Sequence, residues 1–173
     1  IDTLGNAIDF GNLTASRHSL GVCASPTKIF GGGGNASTSR YRTIDMITTS
    51  SKGNAIDDGD LQHKLTEAAA ASNSVRGIWA GGSNTNVGNH IQYRTLASSG
   101  NSIFFGDLNA FNRRDGAGAS TQTRAIFGAG LIDNPTSRVN TIEFVTIATT
   151  GSAQDFGDLT QVRNALAGLS DSH

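Results

Sequence analysis

A nine-residue signature that occurs four times constrains this chain more than any other feature. It reads Gly5-Asn6-Ala7-Ile8-Asp9-Phe10-Gly11-Asn12-Leu13, then Gly53-Asn54-Ala55-Ile56-Asp57-Asp58-Gly59-Asp60-Leu61. It returns as Gly100-Asn101-Ser102-Ile103-Phe104-Phe105-Gly106-Asp107-Leu108 and as Gly151-Ser152-Ala153-Gln154-Asp155-Phe156-Gly157-Asp158-Leu159. The intervals are 48, 47 and 51 residues. A fixed period of this size marks an array of structural units, each too small to bury its own apolar face and so obliged to stack on its neighbours.

Two further landmarks keep step with the signature. Ile29-Phe30-Gly31-Gly32, Ile78-Trp79-Ala80-Gly81-Gly82 and Ile126-Phe127-Gly128-Ala129-Gly130 each run an apolar pair into glycines, as at a strand end. Ile44-Asp45-Met46-Ile47-Thr48, Ile91-Gln92-Tyr93-Arg94-Thr95 and Ile142-Glu143-Phe144-Val145-Thr146 alternate as half-buried strands do. Length varies between these landmarks, in Gly33 to Arg42, Ser83 to His90 and Leu131 to Thr141, which are rich in Gly, Asn, Ser and Thr and read as loops.

One unit then holds four strands: near His18 to Ala24, Ile29 to Gly32, Ile44 to Thr49 and Ala55 to Leu61. The expected fold is all-β, built of four-stranded antiparallel blades in a propeller that one chain leaves incomplete. Its single repeat domain spans 1–173, with a partial blade at 1–16, repeats at 17–64, 65–112 and 113–162, and a second partial blade at 163–173. The alanine-rich stretch Leu61 to Ala71 favours a helix by propensity, but its register places it on a first strand.

Composition agrees. Glycine numbers 22 and proline 2, and charged residues make up 16%, below the roughly 25% of an average domain, which favours strands and turns. A net charge of −1 supplies no field for nucleic acid or an anionic membrane, and no apolar run is long enough for a spanning helix. Cys23 is the single cysteine, so no disulfide framework exists and a small apolar role is its default. Ile1 already falls inside a repeat and no leader-like segment opens the chain, so preceding repeats are expected outside this sequence.

These residues resemble the kelch family, whose blades carry an arginine before the first strand, a glycine pair closing the second and an aromatic in the third. Arg17, Arg113 and Arg163 fill the arginine slot, and the second unit departs with Lys64 and Leu65. The glycine pair reads Gly31-Gly32 and Gly81-Gly82, and is split in Gly128-Ala129-Gly130. The stretch Ile142 to Thr160 and the ending Leu169-Ser170-Asp171-Ser172-His173 look like repeats of large structural proteins of tailed, particularly marine, bacteriophages. The resemblance implies a propeller of six or seven blades, completed by preceding segments or by combination of two or more chains.

The residues that could carry catalysis or hold a metal have plainer roles. Asp57, Asp58 and Asp60 cluster in a way that could suit calcium, but related carboxylates Asp9, Asp107, Asp155 and Asp158 recur with the period, as acceptors in turns or partners of the arginine six or so residues later would. His18, His63, His90 and His173 lack metal-ligand spacing, and Tyr41, Tyr93 and Cys23 do not form the copper set of galactose oxidase, which shares the propeller family. Gly31 to Gly34 lacks the Lys-Ser/Thr of a phosphate loop, and Trp79 reads as core in the phenylalanine slot of its siblings. Asn12-Leu13-Thr14 and Asn35-Ala36-Ser37 match a glycosylation pattern common by chance in such a composition. No cofactor, metal or enzyme activity is expected.

Recognition through the variable loops remains, because loops on a rigid scaffold change freely. Asn35, Arg40, Arg42, Asn84, Asn86, His90, Asp133, Asn134 and Arg138 would gather on one face, fit for a glycan or a neighbouring virion protein, or equally for solvent alone. The expected function is that of a virion structural protein in an extracellular tail fibre, tail tip or similar appendage, serving attachment or assembly. The alternative is a cellular or secreted kelch-like, lectin-like binding module.

Overall fold

The computed structural model describes residues 5–84, 86–110, 112–133 and 136–170, and among them every regular element is a strand. The first sheet contains β1 (Gly21–Ala24), β2 (Lys28–Gly32), β5 (Thr43–Thr48) and β6 (Ile56–Asp60), with a small hairpin, β3 (Asn35–Ala36) and β4 (Ser39–Arg40), inserted between β2 and β5. The second contains β7 (Ala69–Ser72), β8 (Arg76–Ala80), β9 (His90–Thr95) and β10 (Ile103–Asp107), and the third β11 (Ala117–Ser120), β12 (Arg124–Asp133), β13 (Thr136–Thr146) and β14 (Gln154–Asp158). Each is an antiparallel meander in chain order. The three four-stranded sheets adjoin one another in a propeller-like arrangement that does not close into a ring.

The signature is the joint between units. Gly53 and Ala55 donate backbone N–H bonds to Phe10 and Asn12 of the preceding repeat, at 3.0 and 2.8 Å. Gly100 and Ser102 do the same to Asp58 and Asp60, and Gly151 and Ala153 to Phe105 and Asp107, at 2.8–3.0 Å. Glycine is needed where the chains cross: a Cβ on Gly11, Gly59 or Gly106 would stand 2.1, 2.3 or 2.2 Å from the carbonyl oxygen of Gly53, Gly100 or Gly151. Within the signature, Asp9, Asp57 and Asp155 each accept the N–H of the residue two ahead, at 3.0–3.1 Å. These are Asx turns, which account for the recurrence of acid in this segment.

A buried ion pair anchors the first and third units. In the first, Arg17 Nη2 lies 2.8 Å from Asp45 Oδ1 with both side chains inaccessible, an ion pair rather than an aligned hydrogen bond. In the third, Arg113 pairs with Glu143 and also donates to the carbonyls of Phe127, Ala129 and Thr141. In the second, the arginine slot holds Leu65 and the acid slot holds Gln92, both buried. Charge is lost from both positions together, as the cost of a lone buried ion requires. A backbone N–H from the preceding unit caps each acceptor: Thr14 onto Asp45, Gln62 onto Gln92 and Asn109 onto Glu143, at 2.8–3.0 Å. Among the described residues, the expected pairing of signature aspartates with arginines six or so residues later is not formed. Arg17 and Arg113 turn instead to acids of the third strand of their own unit.

The innermost strands join through serines at the same period. Ser72 Oγ donates to the carbonyl of Ala24 and Ser120 Oγ to that of Ser72, each at 2.6 Å, and Ser120 N donates to Ser170 Oγ at 3.1 Å. Small residues are obligatory there, since a Cβ on Gly118 would lie 2.2 Å from the carbonyl oxygen of Ala70. That closeness explains why the alanines of β7 are strand: packing overrides helix propensity, as the register implied.

Two expectations need correction. The segment Leu131 to Thr141 is not a loop. Its described residues extend the β12–β13 hairpin beyond a bulge between Gly128 and Gly130, where Ala129 adopts φ +57. Gly33 to Arg42 likewise holds β3 and β4, and Ser83 to His90 reaches into β9. Ladder bonds satisfy backbone groups that a solvated loop would leave to water. The register of the first unit also differs from expectation. Pairing of β1 with β2 and β7 with β8 sets Cys23 opposite Phe30 and Ala71 opposite Ile78, so Phe30 corresponds to Ile78, and Gly31 to Trp79 and Phe127. The glycine pair of the first unit is accordingly Gly33-Gly34, where φ is +73 and +92, matching +67 and +104 at Gly81-Gly82.

Candidate functional site

Because strands alternate in direction, the connection from second to third strand and the connection from one unit to the next emerge at the same end of a sheet. Between the first two sheets these connections enclose a polar groove of about 800 Å³. One wall is the β3–β4 hairpin with Asn35, Ser37, Thr38, Ser39 and Arg40, and the other is the turn carrying Ser83, Asn84 and Asn86. Lys64, Thr66, Glu67 and Arg114, from the connections that enter the second and third units, complete the lining.

Hydrogen bonds hold both walls. Thr66 Oγ1 donates to Asn35 Oδ1 at 2.9 Å, Arg40 Nη2 to Ser83 Oγ at 3.1 Å, and Asn84 Nδ2 to the carbonyl of Lys64 at 2.9 Å. Asn84 Oδ1 accepts the N–H of Asn86 at 3.0 Å and shapes the turn. Arg114 meets Glu67 at 3.1 Å, Asp133 at 2.9 Å and Asp115 at 3.6 Å. Its hydrogen bond to Asp133 raises it above the usual guanidinium range, against partial burial and with Glu67 adding to the rise. Among the described residues, neither Arg40 nor Lys64 forms an ion pair with a carboxylate.

Of the residues expected on one binding face, Asn35, Arg40, Asn84 and Asn86 meet in this groove. Arg42 points instead to Asp60, at 3.2 Å. His90 lies in β9 with its ring edge-on to His63 and Phe104 and its Nε2 3.7 Å from Asp107. Burial, then the nearby His90, lowers the pKa of His63. Asp133 touches the groove only through Arg114, and Arg138 donates to Asn164 Oδ1 at 2.7 Å on the third sheet. Asn134 lies outside the described residues. Lys64, Thr66, Glu67 and Arg114 were not anticipated; the alternation of strand direction was the signal that could have found them.

The other candidates are engaged within the fold. Asp58 pairs with Arg94 at 2.8 Å, so each carboxylate of the Asp57, Asp58 and Asp60 cluster has its own protein partner. Among the described residues no three His, Cys, Asp or Glu side chains come together as a metal site would need. Gly33 and Gly34 donate to the carbonyls of Thr43 and Leu65, which leaves no open amide cradle in that glycine run. Trp79 is fully buried and donates from Nε1 to the carbonyl of Gly21 at 2.9 Å. Burial pushes the Cys23 thiol up to about 12, against the pull of Arg94. Compared with known proteins, the chain matches no family model and no curated sequence.

Proposed function

We propose that this chain is a virion structural protein of a tailed phage, part of a tail fibre, tail tip or related appendage, which presents kelch-type blades for attachment or particle assembly. The phage origin rests on the repeat dialect around Ile142 to Thr160 and the kelch reading on the arginine and glycine slots. The binding role rests on one observation: a roomy polar groove mounted on tightly cross-bonded sheets, with Arg40 and Lys64 in its lining and, among the described residues, no carboxylate paired to either. A scaffold of this kind keeps recognition residues in place while their loops vary. Its part is mechanical and adhesive rather than catalytic.

The same groove also favours a second reading, a cellular or secreted lectin-like module. Gold-labelled antibodies against the chain, applied to particles from the source culture in the electron microscope, separate the two. Label on the tail or its fibres supports the first. Label confined to secreted or cellular material, with particles bare, overturns it in favour of the second.

A further inference from the structure

The charge of the groove is unevenly assigned. Arg114 is held by Glu67, Asp133 and Asp115, whereas among the described residues Arg40 has the neutral hydroxyl of Ser83 and neither Arg40 nor Lys64 has an acidic partner. Two exposed cations thus line a recess in a chain whose net charge is −1. The rest of the described lining is hydroxyl and carboxamide from Asn35, Ser39, Asn84 and their neighbours, and among the described residues no aromatic or aliphatic side chain of more than two carbons contributes to it. That set can exchange hydrogen bonds with many hydroxyl groups at once and offers no apolar anchor for a peptide side chain.

We propose that the groove takes an acidic saccharide, a short carboxylated or sulfated glycan, with its anionic group bound by Arg40 and Lys64 and its hydroxyls by the amide and hydroxyl lining. This rests on the reading of the groove as a binding face and adds the class of ligand. Charge-assisted bonds from a guanidinium to a carboxylate or sulfate are the strong ones available here. The volume of about 800 Å³ suits a ligand of a few sugar rings.

The test is calorimetric titration of the whole chain with oligogalacturonate, a sulfated chondroitin oligosaccharide, a neutral malto-oligosaccharide and poly-glutamate. Arg40→Ala and Lys64→Ala are each expected to weaken acidic-saccharide binding by about tenfold, while Arg138→Ala, away from the groove, leaves it unchanged. All three side chains are exposed, so these variants should fold, which the melting curve verifies. Binding of the neutral sugar as tight as the acidic ones, indifferent to Arg40 and Lys64, would keep the binding face and overturn the acidic ligand. Binding of poly-glutamate alone would transfer the site to acidic peptides, and no binding of any probe would overturn both the ligand and the binding face.

Discussion

The contact between the first and second sheets and that between the second and third are built on one backbone plan with different side chains. Where the second sheet meets the third, Phe105 and Val145 share an apolar cluster; the same slots one unit earlier hold Asp58 and Arg94, a buried ion pair at 2.8 Å. Arg94 also donates to the carbonyls of Asp58 and Ser98 and sits 5.3 Å over the ring of Phe30. The aromatic slot of the second strand follows suit. Trp79 reaches back against Gly21 and Gly32, where added Cβ atoms would lie 2.7 Å from its ring, whereas Phe127 shares a cluster with Ala69 and Ala80 in the corresponding slots. A larger ring meets glycine and a smaller one meets alanine, so each interface is filled as a set.

Breaking a set should cost far more than exchanging it. Arg113→Leu leaves Glu143 buried without its cation and is expected to destabilise the chain by roughly 3–5 kcal/mol. The double variant Arg113→Leu/Glu143→Gln copies the Leu65 and Gln92 of the second unit and should recover most of that loss in urea unfolding. A double variant no more stable than the single would show that the two units do not share a plan. Next in size, Gly32→Ala presses a methyl group onto Trp79 at a cost of about 1–3 kcal/mol, and Trp79→Phe in the same chain should relieve part of it. Thermal melts of the two variants and their combination decide the matter.

Smaller still, Ser120→Ala removes the hydroxyl that joins β11 to the carbonyl of Ser72 and is expected to cost about 1 kcal/mol. The smallest effect is a null one. With its thiol pushed up to about 12 by burial, Cys23 should resist a thiol reagent at pH 8 in the native chain and react only as fast as the first interface opens. Rapid labelling without loss of structure would mean that this interface is looser than its buried ring and ion pair imply.

Periodicity made the broad plan legible, because a fold of stacked units repeats its demands on the chain. The signature glycines are crossing points, the recurring aspartates close Asx turns, and the spacing of strands follows. The register of the first unit was obscured by the run from Gly31 to Gly34, which has no side chains to mark where β2 ends. The extended β12–β13 hairpin was hidden for the opposite reason: its Ser, Thr and Asn content reads as loop while backbone pairing decides the outcome. Single-residue devices such as Ser72, Ser120 and Ser170 carry too little pattern to stand out from a serine-rich chain. At the groove, Asn35, Arg40, Asn84 and Asn86 followed from loop position alone, but Lys64 and Arg114 required the direction of each strand to be followed into the next unit.

Native-state hydrogen exchange at the joints tests most directly whether the three sheets form one cross-bonded body. The amides of Ala55, Gly100, Ser102, Gly151 and Ala153 donate across unit boundaries, to Asn12, Asp58, Asp60, Phe105 and Asp107. They are expected to exchange with the same high protection as the amides inside β8 and β9, opening only with the fold as a whole. Fast exchange at these positions beside slow exchange within the sheets would contradict the account, leaving three independent sheets and no fixed walls for the groove.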